Sequence, residues 1–348
     1  MDNNNTDHCA EVLAKWPAPP PPLSGAWQYL VNGLLVLLPL LTLLGNSLVI
    51  LVVIRFKHMR TKAHAFIVSL ALADMGVAVG VMPFRAYNHL REFDWVLPRV
   101  MCSIVNILDV VLSTASILNL LCLTFDRYLA ICRPFVRERI RRRTVTLMFG
   151  ACWVIPLLAF VVPMTLKLHH SGIRDFVSCS TGCFILMNVP FTLYSMPISF
   201  YIPTFLMVGC YWKIYGAARE HRKFKDNFTT NPRDNNSKAN RHFRQDLKAA
   251  KTIGIVMGCY CVCWFPLFMI NLIDPLIGYK APVILNILAD WLGYTNSMMN
   301  PVLYYVFSNT FQKAYQLLFK CCWRTKHSHT CAPQASKMFV RHTAEQET

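Results

Sequence analysis

MCSIVNILDVVLSTASILNLLCLTFDRYLAICRP, residues 101–134, is a long apolar run broken by charge at two places. Asp109 stands among Ile, Leu and Val near its start, and Asp126-Arg127, followed by Tyr128, near its end. A helix rises 1.5 Å per residue with 3.6 residues per turn, so the 18 residues from Asp109 to Arg127 make five turns, roughly 27 Å. Both side chains therefore leave one helix face, separated by most of a bilayer's hydrocarbon thickness. Ionisable groups at such depths are costly and point into a bundle or a wet cavity, which makes each a functional candidate. One end reads as a receptacle for a cation and the other as a switch.

The rest of the chain has the same character. Of 348 residues 54% are hydrophobic and 15% charged, too little charge for a soluble chain of this length. Apolar runs over 27–54, 64–84, 102–132, 145–166, 184–215, 252–277 and 282–307 are each long enough to span a membrane, predicting seven helices. A net charge of +17 could point to nucleic acid, but its placement argues against that partner. Alternate connections (55–62, 133–143, 213–251 and 313–348) hold 27 of the 35 Lys and Arg residues. This is the positive-inside pattern, with the N-terminus outside, the C-terminus in the cytosol and a basic face toward anionic lipid or a cytosolic partner. The first span is expected to serve as its own signal anchor. No two-halves repeat of the transporter kind is present in the sequence.

The expected organisation is an outer tail over 1–25, a seven-transmembrane domain over 26–307 with a mobile cytosolic loop at about 217–246, an amphipathic helix over 308–320 and a cytosolic tail over 321–348. The first tail is proline-rich between Trp16 and Pro22 and reads as extended, with a glycosylation sequon at Asn4. Phe311, Tyr315, Leu318 and Phe319 recur at helical spacing, with Lys313 and Lys320 opposite, as in a helix lying on a membrane surface. Cys321 and Cys322 directly after it are candidate palmitoylation sites. Of the 14 cysteines, Cys9, Cys102, Cys179 and Cys183 fall on the oxidising outer side and are even in number. His169 and His170 near two of them fit no zinc spacing well.

Several polar residues within the spans carry candidate roles. Asp74 needs partners, and Ser116, Asn296, Ser297 and Asn300 can supply oxygens. They form either a hydrogen-bonded core that glues helices or a site for a small cation, Na⁺ or a proton. Ser113 follows Asp109 by one turn, with Thr114 beside it. Ser195 and Ser199 share a face of the fifth span and either bond a ligand or bond their own backbone. Asp246 and Trp264 share a face of the sixth span, and Pro266 kinks that helix just beyond the ring. Asp290 and Tyr294, one turn apart, face alike on the seventh.

In combination, Gly45-Asn46, Leu-Ala-Leu-Ala-Asp ending at Asp74, Asp126-Arg127-Tyr128, Trp153, Pro203 with Tyr211, Cys263-Trp264-Phe265-Pro266 and Asn300-Pro301 to Tyr304 resemble the rhodopsin-type (class A) G-protein-coupled receptors over roughly 27–320. Asp109 with Trp291-Leu292-Gly293-Tyr294 is similar to their biogenic-amine branch. Lys248 to Thr252, the CSTGC loop and the lone Cys9 are most similar to trace-amine-associated receptors. The resemblance implies an all-α membrane protein, no enzymatic activity, and disulfides Cys102–Cys183 and Cys9–Cys179. It also implies a plasma-membrane receptor whose small cationic amine pairs with Asp109 while Trp291 and Tyr294 cover it. Trp264, Phe268 and Asn271 would line the sixth-span wall. Arg127 would be held by Asp126 and Asp246 at rest, and would meet Tyr211 and Tyr304 when span six swings out for a stimulatory G protein. Arrestin and a receptor kinase are expected partners by family; no cofactor is implied beyond an allosteric Na⁺.

Two departures stand out: Leu267 occupies a usually aromatic position, and Tyr260 replaces a Phe in the transmission core with Ile117 and Pro203. Asp290 is an extra acid. It fits a diamine or polyamine bridging Asp109 and Asp290, or else it pairs with a loop base such as Arg91 or Lys280. A rival ligand class is an aromatic monoamine whose ring hydroxyls meet Ser195 and Ser199. A retinal pump would need a lysine in 282–307, which has none.

Overall fold

The computed structural model describes residues 3–16, 25–228 and 238–324, with side chains described over 7–16, 25–221 and 243–319. Seven long helices form the bundle. They are Ala26–Arg55; Lys62–Gly80, resumed as Met82–Leu90; Arg99–Cys132; Arg142–Pro156, extended by a π turn to Thr165; Val189–Met196, continued through a π turn into Ile202–Phe228; Lys238–Ile273; and Val283–Phe307. Six are apolar enough to cross a membrane on length and hydropathy. The seventh is less so because Asn286, Asp290, Asn296, Ser297 and Asn300 are spaced along its 25 residues.

The third helix runs unbroken for 34 residues and packs against the second, fourth, fifth and sixth. Its central position explains why it carries both charged ends. Solvation is inverted relative to a soluble protein: Leu34, Leu37, Leu41 and Leu44 face outward, whereas Asn46, Asp74, Asn119 and Asn300 are buried. Without water outside, polar groups gather within the bundle, where they satisfy one another.

Local chemistry fixes the helix ends. Thr61 caps the second helix, its hydroxyl accepting from the His64 N–H at 3.3 Å. Pro83 has no N–H to donate and crowds the preceding turn, and the helix breaks at Val81 and restarts at Met82. The restarted turns carry Arg85 and Asn88 against Cys183: Arg85 Nη1 and Asn88 Nδ2 donate to its carbonyl at 3.2 and 3.1 Å. Asn188 caps the fifth helix, accepting from the Phe191 N–H at 2.9 Å. That cap sets the helix start at Val189, so 184–188, expected to belong to the span, is a non-helical segment before it.

Three further stretches correct the sequence reading. The first tail is helical over Asn3–Ala14 rather than extended. Twelve residues are marginal as an isolated helix; here Cys9 is bonded to Cys179, and Trp16 stacks on Phe176 at 3.8 Å between ring centroids. The Asn4 sequon lies outside the described side chains. Helices continue through Phe228 and resume at Lys238, so much of the expected 217–246 loop is helical. Those turns are rich in charged residues, and the few apolar ones that pack between the two helices, such as Ala217, Phe243 and Leu247, are too sparse to mark a span. The helix after the seventh span is Asn309–Arg324 rather than 308–320, taking in the first residues of the expected tail. Phe311, Tyr315 and Leu318 are buried on its inner face, whereas Phe319 points outward; the Cys321 and Cys322 side chains lie outside the described ones.

Candidate functional site

At the end of the bundle that holds the disulfides lies a cavity of about 620 Å³. Its floor and walls come from the third, fifth, sixth and seventh helices, and Cys183–Met187 lines it from the connecting segment. Cys102 at the start of the third helix is bonded to Cys183, which pins that segment across the opening. Leu13 and Trp16 of the N-terminal segment also line it, held there by the Cys9–Cys179 bond.

Asp109 lies within the cavity and is only 6% exposed. Its Oδ2 accepts the Tyr294 hydroxyl at 2.6 Å and Arg85 Nη2 at 3.1 Å. Short charge-assisted bonds of this type are strong and fix the orientation of a carboxylate. Ser113 and Thr114 follow it on the cavity wall, and among the described residues their hydroxyls have no hydrogen-bond partner. Opposite, Trp264, Leu267, Phe268 and Asn271 line the cavity from the sixth helix. Phe268 stacks on Phe200 at 4.3 Å. Trp291 stands edge-on to Tyr294 at 5.5 Å, and Asp290 completes the seventh-helix wall.

Ser195 and Ser199 also reach the cavity, but their hydroxyls are engaged. Ser199 Oγ donates to the Ser195 carbonyl at 2.7 Å, and Ser195 Oγ lies 3.6 Å from Met187 Sδ. The backbone-bonded alternative holds for Ser199.

Sequence reasoning missed Arg85, which falls outside the basic connections and carries no role in the reading above. Arg85 has a side chain 9% exposed, and besides Asp109 and Cys183 it donates to Asn106 Oδ1 at 2.9 Å. Of the two loop bases expected beside Asp290, Arg91 pairs with Asp94 at 3.6 Å. The guanidinium that lines the cavity together with Asp290 is that of Arg85. The signal available was position: Arg85 follows the apolar run 64–84 directly, five residues before Leu90, the last residue of the second helix.

Deeper in the bundle, Asp74 accepts from Ser297 at 2.8 Å, Asn300 Nδ2 at 2.8 Å and Ser116 at 3.4 Å. Asn296 is buried nearby on the seventh helix; its Oδ1 and that of Asn300 have no donor among the described residues. A carboxylate with uncommitted amide and hydroxyl oxygens is a donor set suited to a hard monovalent cation.

At the far end Arg127 is bonded to Asp126 and lies 3.4 Å from Asp246 on the sixth helix. Arg137 joins both acids, at 3.4 Å from Asp126 and 3.9 Å from Asp246. Tyr128 follows Arg127 on the same helix, half-buried. Tyr211 donates to the Ala250 carbonyl at 3.3 Å, and the buried Tyr304 hydroxyl has no partner among the described residues. Between the two ends Ile117, Pro203 and Tyr260 are buried, and Tyr260 lies 6.2 Å from the Trp264 ring. Pro266 falls within the sixth helix, and Pro301 of the seventh packs on Gly45 of the first.

Known proteins share this arrangement of sequence. The model of the family described as 7 transmembrane receptor (rhodopsin family) matches residues 45–304. The chain is 38% identical to 5-hydroxytryptamine receptor 4 of Cavia porcellus over 301 residues, covering 81% of this chain and 77% of that one. It is 35% identical to the D(1C) dopamine receptor of Xenopus laevis over 323 residues, covering 84% and 68%. Trace amine-associated receptor 13c of Danio rerio is 32% identical over 283 residues, covering 80% and 82%.

Proposed function

Because the chain belongs to the rhodopsin family of seven-transmembrane receptors, within its biogenic-amine class, we propose that it is a plasma-membrane receptor for a small amine whose ammonium docks on Asp109. The observation that carries this reading is the buried Asp109 carboxylate in a cavity. Tyr294 and Arg85 both bond Oδ2, and among the described residues no partner takes Oδ1. A buried carboxylate with one oxygen open to a cavity selects a cation and orients it by hydrogen bonds. Trp291 and Phe268 supply aromatic faces for the ammonium and its carbon chain.

The cavity would face outward and Arg127 the cytosol, as the distribution of Lys and Arg supports. An agonist that binds more tightly when the sixth helix has moved would shift the population toward a form with the Arg127–Asp246 contact broken. The freed cleft would admit a heterotrimeric G protein, of the stimulatory, cAMP-raising class by the resemblance to trace-amine receptors. Arrestin and a receptor kinase would follow by the same resemblance. The Cys9–Cys179 bond supports that narrower placement, since pairing of this kind is what the resemblance implied, and an olfactory role would follow from the same resemblance. Identity to serotonin and dopamine receptors is higher, and a neural monoamine receptor is the second reading. Asp74, Ser116, Asn296, Ser297 and Asn300 would hold an allosteric Na⁺, which would supply positive charge to Asp74 in the resting packing.

The test is a cAMP concentration–response panel of monoamines, diamines and polyamines on cells expressing the receptor and its Asp109→Ala variant. Loss of at least a hundredfold in amine potency at equal surface expression is expected. Unchanged responses would sink the reading.

A further inference from the structure

The cavity contains a charge that no ligand brings. Arg85 reaches into it from the restarted second helix and donates to Asp109 Oδ2 at 3.1 Å. Asp290 lines the same cavity from the seventh helix, one turn before the Tyr294 whose hydroxyl shares Asp109 Oδ2 with Arg85. Arg85 is held in place on its other side by the Cys183 carbonyl and Asn106 Oδ1, at 3.2 and 2.9 Å. Cys183 is itself fixed by the disulfide to Cys102. Arg85 therefore belongs to the rigid frame of the site. The other acids of the cavity, Glu92 and Asp274, lie on the turns after the second and sixth helices. Asp274 already accepts the Ala281 N–H at 2.7 Å.

We infer that Arg85 is a specificity-determining residue: it competes with ligand ammonium groups for Asp109 and Asp290 and so discriminates against a second ammonium. The inference rests on Asp109 being the amine anchor. Two carboxylates and one guanidinium leave one uncompensated negative charge at the deep site, which one ammonium neutralises. A first ammonium can use Asp109 Oδ1 while Tyr294 and Arg85 keep Oδ2. A second ammonium directed at Asp290 enters the same buried cavity as the like charge of Arg85, where a low dielectric makes such repulsion strong. Asp290 thus adds to the attraction for a monocation by balancing Arg85, in addition to offering a second docking point.

The test compares pentan-1-amine with pentane-1,5-diamine, which differ by one ammonium, in cAMP concentration–response curves with surface expression measured on the same cells. Arg85→Gln keeps a hydrogen-bond donor toward Cys183 and removes the charge. It is expected to raise diamine potency relative to monoamine potency by roughly tenfold. Arg85→Lys should keep the wild-type ratio, and Asp290→Asn added to Arg85→Gln should abolish the gain. Asp290→Asn alone should lower monoamine potency by roughly tenfold, because Arg85 then cancels Asp109. An unchanged potency ratio in Arg85→Gln overturns the proposal, as does a gain that survives in the double variant. Should Arg85→Gln fail to reach the surface, undiminished monoamine potency in Asp290→Asn overturns it. Failure of the Asp109 anchor is read separately, as amine responses that persist in Asp109→Ala.

Discussion

Tyr294 shows how one hydroxyl can set the strength of a site. Its ring is buried beside Trp291, so its position is fixed by packing, and its O–H donates to Asp109 at 2.6 Å. Tyr294→Phe keeps the ring and removes the bond, leaving the carboxylate free to rotate toward Arg85. A hydrogen bond to a charged group contributes about 1.5–3 kcal/mol, so amine potency should fall about tenfold or more at unchanged surface expression. A second residue makes a prediction about pH. His169 is buried against Phe191, and burial, with Lys167 and His170 close by, lowers its pKa to about 4. The neutral ring is favoured in the fold, whereas an unfolded histidine titrates near 6.5. Its contribution to stability is therefore complete above pH 6.5 and lost as the pH falls from there toward 4. Thermal melts of purified receptor should show a decline across that window that His169→Gln reduces; an identical pH profile in the variant would refute it.

Helices meet closely where side chains are small. A Cβ on Gly45 of the first helix would come within 2.9 Å of Pro301 Cγ on the seventh, and a proline ring in a helix cannot swing aside. Gly45→Ala should force the two helices apart and destabilise the protein by about 1–3 kcal/mol, read as a melting temperature several degrees lower in detergent. The sequence motifs pointed to both partners without showing that they touch. This is representative of how much was legible. Hydrophobic runs located every long helix, and the reading of 101–134 as one helix with charge near both ends matches the unbroken third helix. All twelve residues expected to meet ligand line one cavity. What escaped were features without an apolar signal. The helix at Asn3–Ala14 is tied by a disulfide, the turns before Phe228 are rich in charge, and Arg85 gains its meaning only from the restart at Met82. Periodicity reports which face is buried but not what a polar tip meets across a cavity.

For the molecule as a whole, the two ends of the third helix need a means of affecting each other. The contact of Arg127 with Asp246 ties the third helix to the sixth at one end, and Trp264 on that same sixth helix lines the cavity at the other. Asp246→Asn removes the charge that both Arg127 and Arg137 meet on the sixth helix and leaves Asp126 to hold the two bases. Ligand-free cAMP should rise severalfold per surface receptor, since a shift of about 1 kcal/mol in a two-state equilibrium changes a minor population by about fivefold. Unaltered basal signalling would show that this contact does not restrain the bundle. The Asp74 cluster lies along the route between the ends. Hydrophobic side chains that interlock must separate all at once before their helices can slide. Hydroxyls and amides around a carboxylate can exchange partners one by one, each step costing little while the others hold. A bundle whose middle is a polar seam of this kind can creep through a rearrangement in small increments, and it does so without tearing the oily belt that keeps it in the bilayer.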